Sequence, residues 1–269
     1  RYARGPKMPA TRTHPPLVLA YHGLGKFDRA MDPHNLMVDP ERFRSQIAGL
    51  RDRGYRFVGL DEFVIELEAK EAPPPRTCAL TFDDGTTDNA DVLVAELERL
   101  GVPATVFVCP GLLGRPHFAM PAASGVRLMD APQVRQLAAH PLVDVGSHTM
   151  CHVEMSRFSL QEALIEMEAS RDAVEQLIDR PVTAFAYPKC SYSPDAPEAA
   201  RRAGYRVAVT CGARGGWSPF ELRRESVDSL DRRMTFALKS RGVFHPLRDS
   251  GPGRAMRKLI RPLRHHQGS

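Results

Sequence analysis

The stretch Ala79-Leu80-Thr81-Phe82-Asp83-Asp84-Gly85 is an apolar run of strand type that stops abruptly in two carboxylates and a glycine. In parallel α/β folds, ligands bind beyond the carboxyl ends of the strands, so reactive groups belong where this run ends. Two adjacent acids repel each other unless a cation or a shared proton relieves them. Taken alone, the pair is explained equally well as a helix N-cap.

A second stretch changes that balance. Val143-Asp144-Val145-Gly146-Ser147-His148-Thr149-Met150-Cys151-His152 is another strand, running out into two histidines four residues apart. That spacing turns both imidazoles the same way on a helical turn. A lone His-x-x-x-His arises readily by chance. Set at one strand end and matched with an acidic pair at another, it makes a two-His, one-carboxylate site with positions left open for water and substrate.

Between and around these segments, short β-type runs alternate with longer helical patterns, the signature of a mainly parallel sheet. The expected strands are 17–21, 56–59, 77–82, 104–109, 142–145, 183–187 and 206–210, and seven of them suggest a barrel or near-closed sheet. Asp39 followed by Pro40 marks the clearest helix start, with the helix running to Arg53 and Gly54 stopping it. Further helices are expected over 61–70, 88–100, 131–139, 160–178 and 196–203, with Gly101 and Gly204 placed as C-terminal caps. Pro73, Pro74 and Pro75 read as a stiff connector, and residues 111–130 as a long loop over one mouth of the sheet.

The chain has 269 residues, 42% of them hydrophobic, enough for one large α/β domain. Lys+Arg (37) and Asp+Glu (32) are mixed along most of it, which argues against a nucleic-acid surface despite the net charge of +5. The excess collects in Arg254, Arg257, Lys258, Arg261 and Arg264, read either as an amphipathic contact with an anionic membrane or polymer, or as a packed or solvated terminal segment. The five cysteines are widely spaced, so neither a disulfide framework nor a cysteine zinc site is expected, and Cys78, Cys109 and Cys211 read as core thiols. No apolar run has transmembrane length, and the stretch after Arg1 has no apolar signal core, so no intact secretion signal is visible. That leaves cytoplasm and cell envelope both open.

The TFDDG and HTMCH segments resemble the first two motifs of the polysaccharide deacetylases, the NodB-homology or carbohydrate esterase family 4 group. Phe185-Ala186-Tyr187-Pro188, then Ser193-Pro194 and Ala203-Gly204-Tyr205 through Thr210, is similar to the stretch after the family's third motif. The likeness covers roughly residues 15–212 and implies a distorted (β/α) barrel of about seven mainly parallel strands. It implies Asp84, His148 and His152 as ligands of one divalent metal ion, with zinc the first choice and nickel, cobalt or iron fitting the same donors. Asp83 would be the general base, and the backbone N–H of Lys189 would take the oxyanion position.

Leu17-Val18-Leu19-Ala20-Tyr21-His22-Gly23 looks like the opening strand of the poly-N-acetylglucosamine deacetylase branch, which makes His22 the candidate acid. Where many relatives carry an arginine and a Tyr-Gly pair, this chain has Ala186, Lys189 and Cys190. The residue that steadies the base is therefore open, with Arg223 or Arg224 as candidates. Tyr187, Pro188, Trp217 and Arg223 are candidate substrate contacts. Tyr187 is alternatively core, and Trp217 alternatively a packing anchor for the C-terminal segment. His117, His140 and His245 have no motif context and read as surface or structural residues. The expected organisation is an extension over 1–14, a catalytic domain over 15–248 and a basic tail over 249–269. The activity implied is N-deacetylation of an amino-sugar glycan. The alternatives are a deformylase or O-deacetylase of a lipid-linked or capsular sugar, and a degenerate carbohydrate-binding module.

Overall fold

Apolar runs of five or six residues, bounded by glycine, proline or acids, become parallel strands. In chain order the strands are β1 (Leu17–Tyr21), the short β2 (Gly23–Leu24) and β3 (Met37–Val38), β4 (Arg56–Val58), β5 (Thr77–Phe82), β6 (Ala104–Val108), β7 (Val143–Ser147), β8 (Ala184–Ala186), β9 (Val207–Cys211) and β10 (Leu222–Ser226). The helices are α1 (Pro40–Arg51), α2 (Leu60–Lys70), α3 (Val92–Leu100), α4 (Ala131–Ala138), α5 (Leu160–Ile178), α6 (Ala196–Arg202) and α7 (Arg233–Lys239). These coordinates are a computed structural model that describes residues 14–70, 75–211 and 216–241. The N-terminal extension up to residue 13, Pro73 and Pro74, His245 and the basic tail lie outside the described residues.

Seven strands close a parallel barrel in the order β1-β10-β9-β8-β7-β6-β5, with β5 pairing back to β1. β5 is the hub. Along one edge it pairs with all of β1, while the other edge serves β4 over Thr77–Ala79 and β6 over Thr81–Phe82. A run that must serve three neighbours has no free face, which accounts for Thr77–Phe82 being buried throughout.

Strand alternation sorts the side chains into two cores. Leu19, Tyr21, Leu80, Phe82, Val106, Val145 and Phe185 face outward into the layer of helices. Val18, Ala79, Phe107, Ala186, Val209 and Leu222 fill the barrel. Gly146 is required inside, because a Cβ there would sit 2.5 Å from the Phe107 ring. Helix α2 closes the N-terminal end of the barrel: Phe63, Val64 and Leu67 join the interior cluster. Its Asp61 and Glu68 accept hydrogen bonds from Thr183 and Arg206, which precede β8 and β9.

The cap expected at Asp39 forms, its carboxylate accepting from the Glu41 N–H with Pro40 at the first helical position. Three expectations need correction. The helix expected over 88–100 is split into a 3₁₀ turn at Thr87–Ala90 and α3, since Asp91 breaks the run and caps the second part. β10 was not anticipated, because a strand reading Leu-Arg-Arg-Glu-Ser hides its inward Leu222 and Arg224 among charges. Cys211 is not a core thiol: β9 ends beside the turn that follows β8, and Cys211 is disulfide-bonded there to Cys190. Cys78 and Cys109 are buried and unpaired as expected.

Candidate active site

The C-terminal ends of β1, β5, β7 and β10 bring the acids, histidines and one arginine together. Just past β5 the chain turns sharply, with Asp84 at φ 70° and Gly85 at φ 71°. Only a glycine enters the left-handed region without strain, so holding Asp84 there is a local cost of the kind found at functional sites. The turn after β7 is similar: Thr149 and His152 both have positive φ. The Met150 N–H donates to Glu166 on α5 and the Val153 N–H to the Thr149 hydroxyl, and these bonds fix the His148–His152 loop.

Asp84 Oδ1 lies 3.6 Å from His148 Nε2 and 3.4 Å from His152 Nε2. The three ligand atoms available from these residues fall within 4.8 Å of one another. Asp84 Oδ1 is buried and accepts no hydrogen bond from the described residues. His148 Nδ1 donates to the Ala186 carbonyl at 2.7 Å, which leaves Nε2 as the nitrogen this ring can offer to a metal ion. Burial, then the neighbouring His148, pushes the His152 pKa down to about 4, so that ring is neutral. An anionic oxygen facing imidazole lone pairs repels them unless a cation sits among them, and this donor set fits a divalent metal ion.

Asp83 is held differently. Arg224, fully buried on β10, forks onto it: Nη1 donates to Oδ1 at 2.7 Å and Nη2 to Oδ2 at 2.8 Å. Nη1 also donates to the Thr81 hydroxyl, and the guanidinium lies over the Phe107 ring. Burial alone would raise the Asp83 carboxyl. The Arg224 charge outweighs it and holds the pKa below the ordinary value. Asp84 is likewise drawn down, burial being outweighed first of all by the His117 hydrogen bond.

His22 follows β1, whose Tyr21 pairs with Phe82, so His22 comes level with Asp83 at the barrel mouth. Its backbone carbonyl accepts from Asn89, and Asp88 accepts the Leu24 N–H, which ties this turn to the end of β5. Lys189 sits in a left-handed turn (φ 52°) directly after Pro188, at the end of β8. Its ammonium pairs with Glu154 at 2.8 Å, and the disulfide from the next residue pins this turn to β9.

The other candidates separate from the site. Tyr187 points outward and is fully buried, its hydroxyl donating to the Phe220 carbonyl and its ring stacked on Tyr192. It belongs to the core. Trp217 precedes the N-terminal end of β10 and stacks on Phe63 of α2, at the far end of the barrel from the acids. It packs there on α2. Arg223 faces outward and pairs with Glu225, leaving Asp83 to Arg224 alone. One residue was missed altogether: His117, read as surface or structural, is buried with Nε2 3.1 Å from Asp84 Oδ2.

The polysaccharide deacetylase profile matches residues 70–208. The chain is 26% identical over 193 residues to YxkH of Bacillus subtilis (strain 168), covering 72% of this chain and 63% of that protein. It is 28% identical over 143 residues to the poly-β-1,6-N-acetyl-D-glucosamine N-deacetylase of Staphylococcus epidermidis, covering 49% and 47%. The chain thus spans about half to two thirds of the length of these relatives. Among solved structures, the Streptococcus pyogenes deacetylase PplD superposes with a TM-score of 0.70 at 21% identity, over 85% of this chain and 99% of that one, and so shares the fold. With the profile spanning more than half of the sequence and both of its acid and histidine segments meeting at one barrel mouth, the chain belongs to the polysaccharide deacetylase family.

Proposed function

We propose that this chain is a metal-dependent hydrolase that removes N-acetyl groups from an amino-sugar polysaccharide and releases acetate, with residues 15–248 as its catalytic domain. The observation that carries the reading is the unpaired, buried Asp84 Oδ1 facing the Nε2 atoms of His148 and His152. Those three residues would hold the ion, zinc being the first choice for imidazole and carboxylate donors. A divalent ion there supplies Lewis acidity, polarising a carbonyl oxygen and making water a stronger acid near neutral pH.

The protein's own groups do the rest. Asp83, kept ionised and oriented by the Arg224 fork, accepts the proton of the attacking water. The Lys189 backbone N–H donates to the oxyanion that forms on the former carbonyl oxygen. His22 protonates the leaving nitrogen, so one water and one acetamide become acetate and a free amine. The identity with an enzyme that by its name deacetylates a β-1,6-linked N-acetylglucosamine polymer supports a glucosamine substrate.

The test is acetate release from N-acetylated β-1,6-glucosamine oligomers, run beside O-acetylated and N-formylated glycans, with and without chelator. Acetate from the N-acetylated oligomers, lost on chelation and restored by zinc, is expected. Release of formate, or of acetate from O-acetylated glycans alone, reassigns the substrate. A purified chain that retains no metal and turns over none of them sinks the proposal.

A further inference from the structure

Residues 111–130 were expected only to overhang the mouth; the structure folds them back onto the site. Thr86 bridges Leu128 and Pro116 bridges Arg127 in antiparallel fashion. The Met129 N–H donates to the Gly85 carbonyl and the His117 N–H to the Val126 carbonyl. This flap is therefore tied to the turn that carries Asp83 and Asp84, and at its tip are His117 and Phe118.

His117 is almost fully buried and makes two directed contacts. The Ala119 backbone N–H donates to Nδ1 at 3.1 Å. An N–H can only donate, so Nδ1 is the bare nitrogen of the neutral ring and Nε2 carries the proton. Nε2–H therefore donates to Asp84 Oδ2 at 3.1 Å, while the other oxygen, Oδ1, is left facing His148 and His152. A protonated ring nitrogen cannot ligate a metal, and His117 stands outside the three-residue donor group. The same flap reaches a second donor: the Phe118 ring stacks on His117 at 4.6 Å and on His152 at 4.3 Å between centroids.

We propose that His117 is a positioning residue of the metal centre, fixing through its Nε2–H bond to Asp84 Oδ2 which carboxylate oxygen is presented to the ion. The assignment rests on the metal-centre reading above. A carboxylate with one oxygen tied off offers the ion a single, pre-aimed donor; untied, it rotates about its last torsion and must be ordered on binding. Hydrogen-bonded partners of this kind are worth about 10- to 100-fold in metal affinity.

The test is zinc affinity of the purified full chain, by competition with a chromophoric chelator, together with the zinc-induced rise in melting temperature. H117L keeps an apolar side chain against Phe118 and removes the donor, and it should bind zinc about 10- to 100-fold more weakly with a smaller thermal shift. H117Q places an amide N–H near the same oxygen and should recover most of the affinity. Wild-type affinity in H117L, or equal losses in H117L and H117Q, overturns the assignment, as does a metal-free H117L that no longer folds. A wild-type chain that binds no zinc, nickel, cobalt or iron removes the metal centre itself and this inference with it.

Discussion

Both ends of this barrel carry carboxylates, buried at one end and exposed or half-buried at the other, and the two ends treat them in opposite ways. At the C-terminal mouth, Asp83 and Asp84 are nearly buried, yet both carboxyls sit below their ordinary range, because Arg224 at the one and the His117 hydrogen bond at the other help to outweigh burial. At the N-terminal end, Asp144 of β7 and Asp61 of α2 line a cavity of about 210 Å³ with Arg180. There partial desolvation of an otherwise exposed side chain, with the Asp61 charge beside it, raises Asp144, and Arg180 only partly offsets the rise. The difference shows that clustered acids do not by themselves mark a catalytic site. The mouth is set apart by a guanidinium forked onto one acid, left-handed backbone, and a carboxylate oxygen without a hydrogen bond that faces two imidazoles.

The sharpest way to break that contrast is at Asp83. D83N keeps the shape and removes the base, and turnover should fall about 10²- to 10⁴-fold while metal content, measured by elemental analysis, stays at the wild-type level. Retained turnover would take the base role from Asp83. Arg224 comes next. R224M leaves a buried carboxylate with no counter-charge, which should cost about 3–5 kcal/mol in denaturant unfolding. The sign at the site follows: with the cation gone, burial dominates and the Asp83 pKa rises, so the acid limb of the kcat/KM profile moves to higher pH. An acid limb that stays in place in R224M would mean that Asp83 does not govern it. R224K, which keeps charge but not the fork, should fall between the two.

How much of this was readable beforehand follows from how far each contact reaches along the chain. The acid pair and the histidine pair are each local, sitting at the ends of apolar runs, and strand alternation with parallel topology brings those ends to one mouth. β5 was legible because three neighbours demand a continuous apolar run. Arg224 was offered only as one of two neighbours, because choosing it requires knowing that β10 exists and which of its residues face inward. Its partner Asp83 is 141 residues away. His117 left no local signal, since its contact depends on a flap folded back by backbone bonds that any sequence can make. Tyr187 misled for the opposite reason: it adjoins the motif segment Pro188, but period-two alternation turns it away from the mouth and into the helix layer.

A smaller effect should separate the two ends by kind of damage. W217A removes the stack on Phe63 at the closed end, and unfolding free energy should drop by about 1–3 kcal/mol, less than for a fully enclosed tryptophan because Trp217 is half-buried. Its kcat/KM on a glycan substrate should not move. A loss of turnover without a loss of stability would return Trp217 to the substrate path.

The smallest expected effect tests the closed end most directly. Because the folded Asp144 carboxyl lies above its unfolded value of about 3.9, the native state holds its proton more tightly than the unfolded chain does. The contribution of Asp144 to stability is therefore fully present below the unfolded pKa and declines as pH rises through the folded one. D144N cannot ionise and escapes that decline, so it should be slightly more stable than wild type at pH 7, with the gain shrinking to nothing in acid. The gain stays well under that of a buried pair because Asp144 keeps contact with solvent. Urea melts of both proteins across that pH range check the sign. A D144N protein that is less stable at neutral pH would mean that Arg180 holds Asp144 as an ion pair, and the two ends of the barrel would then handle their acids alike.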